Sequence, residues 1–308
     1  MSILNRAYLH DEKAAFAELE SLLWPEGPVC PHCGSTEGAY DLSKTRIGLK
    51  KCKVKECRKQ FTVRVGTIFE DSHVPLHMWF QAAHLLCSSK KGISSHQLHR
   101  VLGVTYKTAW FMSHRLREAM RSGSLAPPMG GGTQFVEVDE TYIGNKKGTV
   151  KRRGQGHKNV VLTLVERGRD ARSFHIDRAS ADNIYPILYG NIDREAKIAT
   201  DEGGQYLALK SIFREHESVS HKADEWRRGD VHTNTVEGYF SIFKRGMKGV
   251  YQHCSEKHLH RYLAEFDFRY NNRSALGVED SDRTRLAVRG AKGKRLTYRV
   301  AGGTRSEA

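Results

Sequence analysis

Two groups of side chains in this chain could do chemistry. Cys30-Pro-His-Cys33 and Cys52-Lys-Val-Lys-Glu-Cys57 are two close pairs of thiols with eighteen residues between them. Each pair can present two thiolates to one ion, and the intervening length suits a β-hairpin that brings the pairs together. A structural, tetrahedral Zn²⁺ on Cys30, Cys33, Cys52 and Cys57 is therefore expected. His32 lies inside the first knuckle, where a side chain usually points away. The second group is acidic. Glu137, Asp139 and Glu140 interrupt QFVEVDETYI, which otherwise reads as a buried strand; Asp201 ends the strand-like KIATD; Glu237 lies in HTNTVEGYFSIFKRG. A buried carboxylate is costly unless something positive sits against it. An oxygen-rich pocket of such groups suits Mg²⁺ or Mn²⁺.

These residues need elements to position them. HDEKAAFAELESLLW has Phe16, Leu19 and Leu23 at helical spacing and stops at Pro25, which predicts a leading helix within residues 1–25. Residues 26–72, rich in Cys, Gly and Lys with short β-prone pieces, suit a small metal-stapled ribbon. Over 73–121, PLHMWFQAAHLLCSS reads as a helix, and ISSHQLHRVLGVTYKTAWFMSHRLREAM as a helix, a tight turn at Gly103 and a longer helix. That is the helix-turn-helix rhythm, with Tyr106, Lys107 and Thr108 at the exposed start of a recognition helix. SGSLAPPMGGGT, 122–133, reads as a linker. Residues 134–275 then predict strands at QFVEVDETYI, NVVLTLVE and RSFHID, a helix at SADNIYPILYGNI, a strand at KIATD and two long helices. The fold class expected is multidomain α+β, ending in a mixed sheet flanked by helices.

On the helix that carries Glu237, Val236, Phe240, Phe243 and Met247 define the buried face. Asn234, Glu237, Ser241, Lys244 and Lys248 fall on the other side, and Arg245 follows Lys244. Strand alternation puts Glu137 on the face of Asp139 and Glu140 on the opposite one, where it is expected to be solvated or salt-bridged. Cys87 and Cys254 stand alone and are expected to be buried thiols.

The chain has 308 residues and a formal net charge of +15, which favours a polyanionic partner. No run approaches the roughly 18 apolar residues of a spanning helix and no signal-peptide core is present, so an intracellular, cytoplasmic protein without a membrane partner is expected. GNKKGTVKRRGQGHKN carries Lys146, Lys147, Lys151, Arg152, Arg153 and Lys158 without an acid, a dense hairpin tip suited to gripping phosphates. The tail over 276–308 is also basic, with eight Lys or Arg against two acids from Asp282 onward; it is either an ordered strap or a loose arm.

The zinc knuckles, CRKQFTVRVGTIFEDSHVPLHMWF, VDETYIGNKKG, TDEGGQY and HTNTVEGYFSIFKRGMKGVYQHCSEKHLHRYLAEFDFRYNNR together resemble the zinc-ribbon insertion-sequence transposases of the ISXO type, over about residues 12–300. The resemblance implies an RNase H-like DDE catalytic domain that cleaves DNA at element ends and joins the freed 3′-hydroxyls to a target. It also implies two Mg²⁺ ions and a dimer or larger assembly on terminal inverted repeats and target DNA, at the bacterial nucleoid. By position Asp139 and Asp201 are the first two acids. Glu237 is the third, with Asn234 competing for that role; Lys244 would contact DNA or phosphate, beside Arg245 and Lys248.

Two rivals stand beside this reading. His258-Leu259-His260 has the His-apolar-His pattern of nucleases that use a tyrosine nucleophile, but those histidines need a strand, and two apart on a helix they diverge. A non-catalytic zinc-ribbon and helix-turn-helix regulator explains the N-terminal third and the charge, but leaves the acids without a purpose.

Overall fold

A computed structural model describes residues 3–123, 126–131, 134–151 and 153–297. The chain divides into two compact units. One is formed by residues 1–86, 95–120 and 284–308, the other by 87–94 and 121–283.

The first unit opens with helix α1 (Glu12–Leu23), capped by the Asp11 carboxylate, which accepts from Ala14 N at 2.7 Å. Ala15, Phe16, Leu19, Leu22 and Leu23 are buried, so the predicted apolar stripe is the face that packs. The ribbon follows as a three-stranded antiparallel sheet of β1 (Ala39–Asp41), β2 (Lys50–Cys52) and β3 (Gln60–Phe61). Its own core is small: Cys30, Cys52 and Phe61, with Trp24, Val54 and Val65 around them. Helix α2 (Leu76–Ser88) takes an external cap from α1, because the Glu12 carboxylate accepts from both Leu76 N at 2.8 Å and His77 N at 3.1 Å. A carboxylate there satisfies donors that the first turn leaves open and complements the helix dipole.

Helices α3 (Ser95–Leu102) and α4 (Tyr106–Met120) are joined at Gly103, whose φ of +65° is a left-handed conformation open to glycine at little cost. Only the start of α4 is exposed. From Met112 onward Ser113, His114, Arg115, Leu116 and Arg117 are all buried, and Arg115 donates to the carbonyls of Ile68, Glu70 and Leu296. The basic tail is an ordered strap as far as residue 297: helix α8 (Asp280–Arg289) leads to a bridge between Lys292 and Thr67, and Lys294 donates to the Ala119 carbonyl. Residues 298–308 lie outside the described residues.

The second unit is built on a mixed five-stranded sheet. In chain order its strands are β4 (Phe135–Ile143), β5 (Asn159–Glu166), β6 (Ala171–Ile176), β7 (Lys197–Thr200) and β8 (Glu215–Ser218); across the sheet the order is β6-β5-β4-β7-β8. β4, β5 and β6 form an antiparallel meander, while β7 and β8 run parallel to β4. Helix α5 (Ala181–Asn191) covers one face, packing Ile184 and Leu188 on Val136, Val138, Leu162 and Leu164. Helices α6 (Asn234–Gly246) and α7 (Leu259–Asn271) cover the other, where Val236, Phe240, Phe243 and Phe266 meet Ile143, Val161 and Val165. β5 is therefore buried along its whole length. Tyr239 joins the buried side of α6 beyond the four residues expected, because its hydroxyl is held by Ser173 and by Asp267 of α7. Met129, inside the stretch read as a linker, is buried in the α5-side core and pairs with Ile192.

β8 was not anticipated: Glu215-His216-Glu217-Ser218 has no apolar alternation and is a strand through its pairing with β7. His258 and His260 lie on a helical turn and on α7, not on a strand. Cys87 is buried and its thiol is pushed up to about 12 by burial, whereas Cys254 is only half-buried, against expectation. Among the described residues, no helix is long and apolar enough to cross a membrane. The multidomain α+β class with an N-terminal cysteine ribbon and a mixed sheet is what the structure contains.

Candidate metal centres and nucleic-acid interface

The four ribbon cysteines converge. Cys30 Sγ lies 3.8 Å from Cys57 Sγ and Cys33 Sγ 3.7 Å from Cys52 Sγ, and all four sulfurs are within 4.8 Å of one another. A tetrahedron with metal–sulfur bonds of about 2.3 Å has edges of about 3.8 Å, so the spacing suits structural zinc. The hairpin of β1 and β2 spans the two knuckles as the intervening length required. His32 points outward to the Gln60 carbonyl.

In the second unit three acids on β4 have three different environments. Glu137 is fully buried on the α6 face. Its carboxylate accepts from Arg167 Nε at 2.6 Å, Thr235 N and Thr235 Oγ1 at 2.8 Å and Val236 N at 2.9 Å, with His232 Nδ1 3.1 Å away. It thus fastens the first turn of α6 to the strand two residues before Asp139. So many donors are needed, since a buried carboxylate that loses its partner costs roughly 3–5 kcal/mol. Glu140, on the other face, is half-buried and hydrogen-bonded, with no ion pair among the described residues. It accepts from Gln205 Nε2 at 2.8 Å and from the Tyr206 hydroxyl, both on a 3₁₀ turn after β7.

Asp139 shares the α6 face with Glu137. Among the described residues its carboxylate accepts one hydrogen bond, from the Glu140 amide at 2.7 Å. β4 and β7 pair with Glu137 opposite Ala199, so continuing that register by two residues sets Asp139, in the middle of β4, beside Asp201, just past the carboxyl end of β7. Burial raises the Asp139 carboxyl well above its ordinary value, and the negative charges of Glu140, Asp201 and Glu237 raise it further. Glu237, in the first turn of α6, accepts from Thr233 Oγ1 at 3.1 Å and lies 3.4 Å from His221 Nε2. Carboxylates close enough to repel one another form a site that a cation would stabilise. Among the described residues, only the cysteines have all their ligand atoms within 4.8 Å.

The remaining candidates are placed as follows. Asn234 is exposed at the start of α6. Lys244 lies two turns beyond Glu237 with its ammonium 5.9 Å from the Phe240 ring; Arg245 and Lys248 are exposed. In the β4–β5 hairpin Lys147, Lys151 and Arg153 are exposed and Lys158 is half-buried. Lys146 is instead engaged by Asp177, 2.8 Å away, and Arg152 lies outside the described residues. Tyr106 and Lys107 are exposed at the start of α4. Tyr106 stacks on His96, with ring centroids 4.4 Å apart, and the Thr108 amide donates to the capping Thr105 hydroxyl. Sequence reasoning missed Arg167, Tyr206 and His221. No local pattern marks them, because each acquires its role by reaching an acid far away in the chain.

The chain matches the ISXO2-like transposase domain over residues 130–271 and the transposase zinc-ribbon domain over residues 10–60. It is 28% identical over 277 residues to a protein in transposable element ISH50 of Halobacterium salinarum, covering 84% of this chain and 90% of that one. The two matched domains contain the cysteine quartet and the carboxylate-bearing sheet respectively, and the chain belongs to the zinc-ribbon insertion-sequence transposases with a DDE domain.

Proposed function

We propose that this transposase binds the ends of an insertion sequence, cleaves DNA strands there and joins the freed 3′-hydroxyls to target DNA. What supports this reading is the register of β4 and β7, which brings Asp139 next to Asp201, together with the rise of the Asp139 carboxyl above its ordinary value, caused first by burial and then by the charges of Glu140, Asp201 and Glu237. Two Mg²⁺ or Mn²⁺ ions held there would activate an attacking oxygen and cover charge on the leaving one. Asp139, Asp201 and Glu237 would hold these ions, with Asp139 and Asp201 brought side by side by the strand register. Glu237 is favoured over Asn234 because its charge reaches Asp139 and a carboxylate binds a hard cation better than an amide oxygen. Lys244 would take a phosphate on the same helix face.

DNA binding is assigned to the zinc ribbon, to Tyr106, Lys107 and Thr108 at the head of α4, and to the hairpin cations Lys147, Lys151, Arg153 and Lys158, with Arg245 and Lys248 beside Lys244. Two ends must be held at once, so a dimer or larger assembly on DNA is part of the proposal. Such a protein works in the cytoplasm, at the bacterial nucleoid. The test is a strand-transfer assay with labelled candidate end sequences. Joined product is expected with Mg²⁺ and none without it; joining that proceeds equally in both would refute the metal-dependent reading.

A further inference from the structure

The segment between β8 and α6 carries a side chain for which neither the core nor the acids provide a use. Trp226 is 55% exposed, a large apolar surface left in water. It is not loosely placed, since its ring lies against His221 with centroids 4.6 Å apart. His221 is itself anchored twice at the acidic site: its amide donates to Glu202 Oε2 at 2.8 Å, next to Asp201, and its Nε2 lies 3.4 Å from Glu237 Oε1. The indole is thus one ring removed from a carboxylate proposed to hold metal. Beside it in the chain Lys222 pairs with Glu202 and Arg227 with Asp230, each at 3.7 Å, and both keep most of their side-chain surface in water, 86% and 62% exposed. An exposed aromatic face, fixed in orientation and flanked by cations, has the makings of a stacking platform for a base whose phosphates are held on either side.

We propose that Trp226 stacks on an unpaired nucleobase of the strand entering the acidic site, so that DNA is bound there with a base out of the duplex. This rests on the transposase reading above and adds to it the state of the DNA at the reacting strand. A paired base offers its face only to its neighbours in the stack, so the platform discriminates between unpaired and paired positions. His221 is a positioning residue that holds the indole toward the acids.

The test uses the full chain without added divalent cation and DNA carrying 2-aminopurine either at an unpaired position or in a fully paired duplex. The wild type is expected to change the fluorescence of the unpaired probe and to bind it more tightly than the paired one. Trp226→Ala should lose the fluorescence change and bind the unpaired DNA roughly ten- to a hundredfold more weakly, with duplex affinity within about twofold. Trp226→Phe, which keeps a π-face, should retain most of both. An unchanged signal in Trp226→Ala, or equal losses on paired and unpaired DNA, overturns the proposal. Strand transfer is scored separately with Mg²⁺, so failure of wild-type joining counts against the catalytic reading and leaves the stacking result to be judged on its own.

Discussion

Asp139 carries the sharpest consequence at the scale of single residues. Its carboxyl is raised by burial and by three neighbouring acids, so the folded state favours the neutral form. The corresponding stability is complete below the ordinary carboxylate value and is lost as pH rises through the raised one. Without divalent cation at neutral pH, Asp139→Asn should therefore raise the melting temperature of the second unit by about 2 °C or more, the advantage vanishing toward about pH 4. A thermal melt followed by circular dichroism across that range reads this; a lowered melting temperature at neutral pH would contradict it. Asp201→Asn should abolish strand transfer while leaving binding to element ends within about threefold, since the change removes one charge and little volume. Full joining activity in that variant would end the catalytic proposal. Glu137 belongs in a different category from its neighbours, because its oxygens are committed to Arg167, Thr235 and Val236 and so fasten the first turn of α6, which carries Glu237, to β4.

Among the elements, the ribbon is the one whose fold depends most on something other than its own packing. Three buried residues and a handful of partly buried ones are too few to hold three short strands. Metal binding in isolated zinc peptides is worth about 10–16 kcal/mol, more than such a core supplies. Cys33→Ser is expected to lose zinc and unfold the ribbon, seen as loss of one zinc per chain by metal analysis and as protease sensitivity within 26–72. A variant that retains its zinc would show that the four sulfurs are not the ligands. Helix α6 shows the opposite arrangement, one element with two separate purposes. Val236, Tyr239, Phe240 and Phe243 bury it against the sheet, while Glu237 and Lys244 remain at its other side. Helix α4 divides along its length instead: its second half is enclosed, and the turn at Tyr106 and Lys107 is its exposed part.

For the molecule as a whole, a net charge of +15 predicts binding dominated by phosphate contacts and hence by counterion release. Four hairpin cations engaged together would lower affinity about a hundredfold between roughly 50 and 200 mM salt. Fluorescence anisotropy on duplex DNA measures this, and an affinity that does not change with salt would remove the hairpin from the interface. Much of this architecture was open to inspection in the sequence. The cysteine spacing, the apolar stripes of α1 and α6, the long buried strands and the charge all follow from local rules, because metal ligation, helical periodicity and strand alternation act over a few residues. The amino-acid sequence by itself therefore determined a zinc ribbon, the faces of the helices and which side of β4 each acid takes. Only the tertiary structure decided that Glu137 is a fastening, that Glu140 is held by Tyr206 and Gln205, that charged β8 is a strand and that His221 reaches Glu237. Those outcomes depend on partners tens of residues away or on backbone pairing, and the energy of a buried charge is set by what surrounds it rather than by its neighbours in the chain.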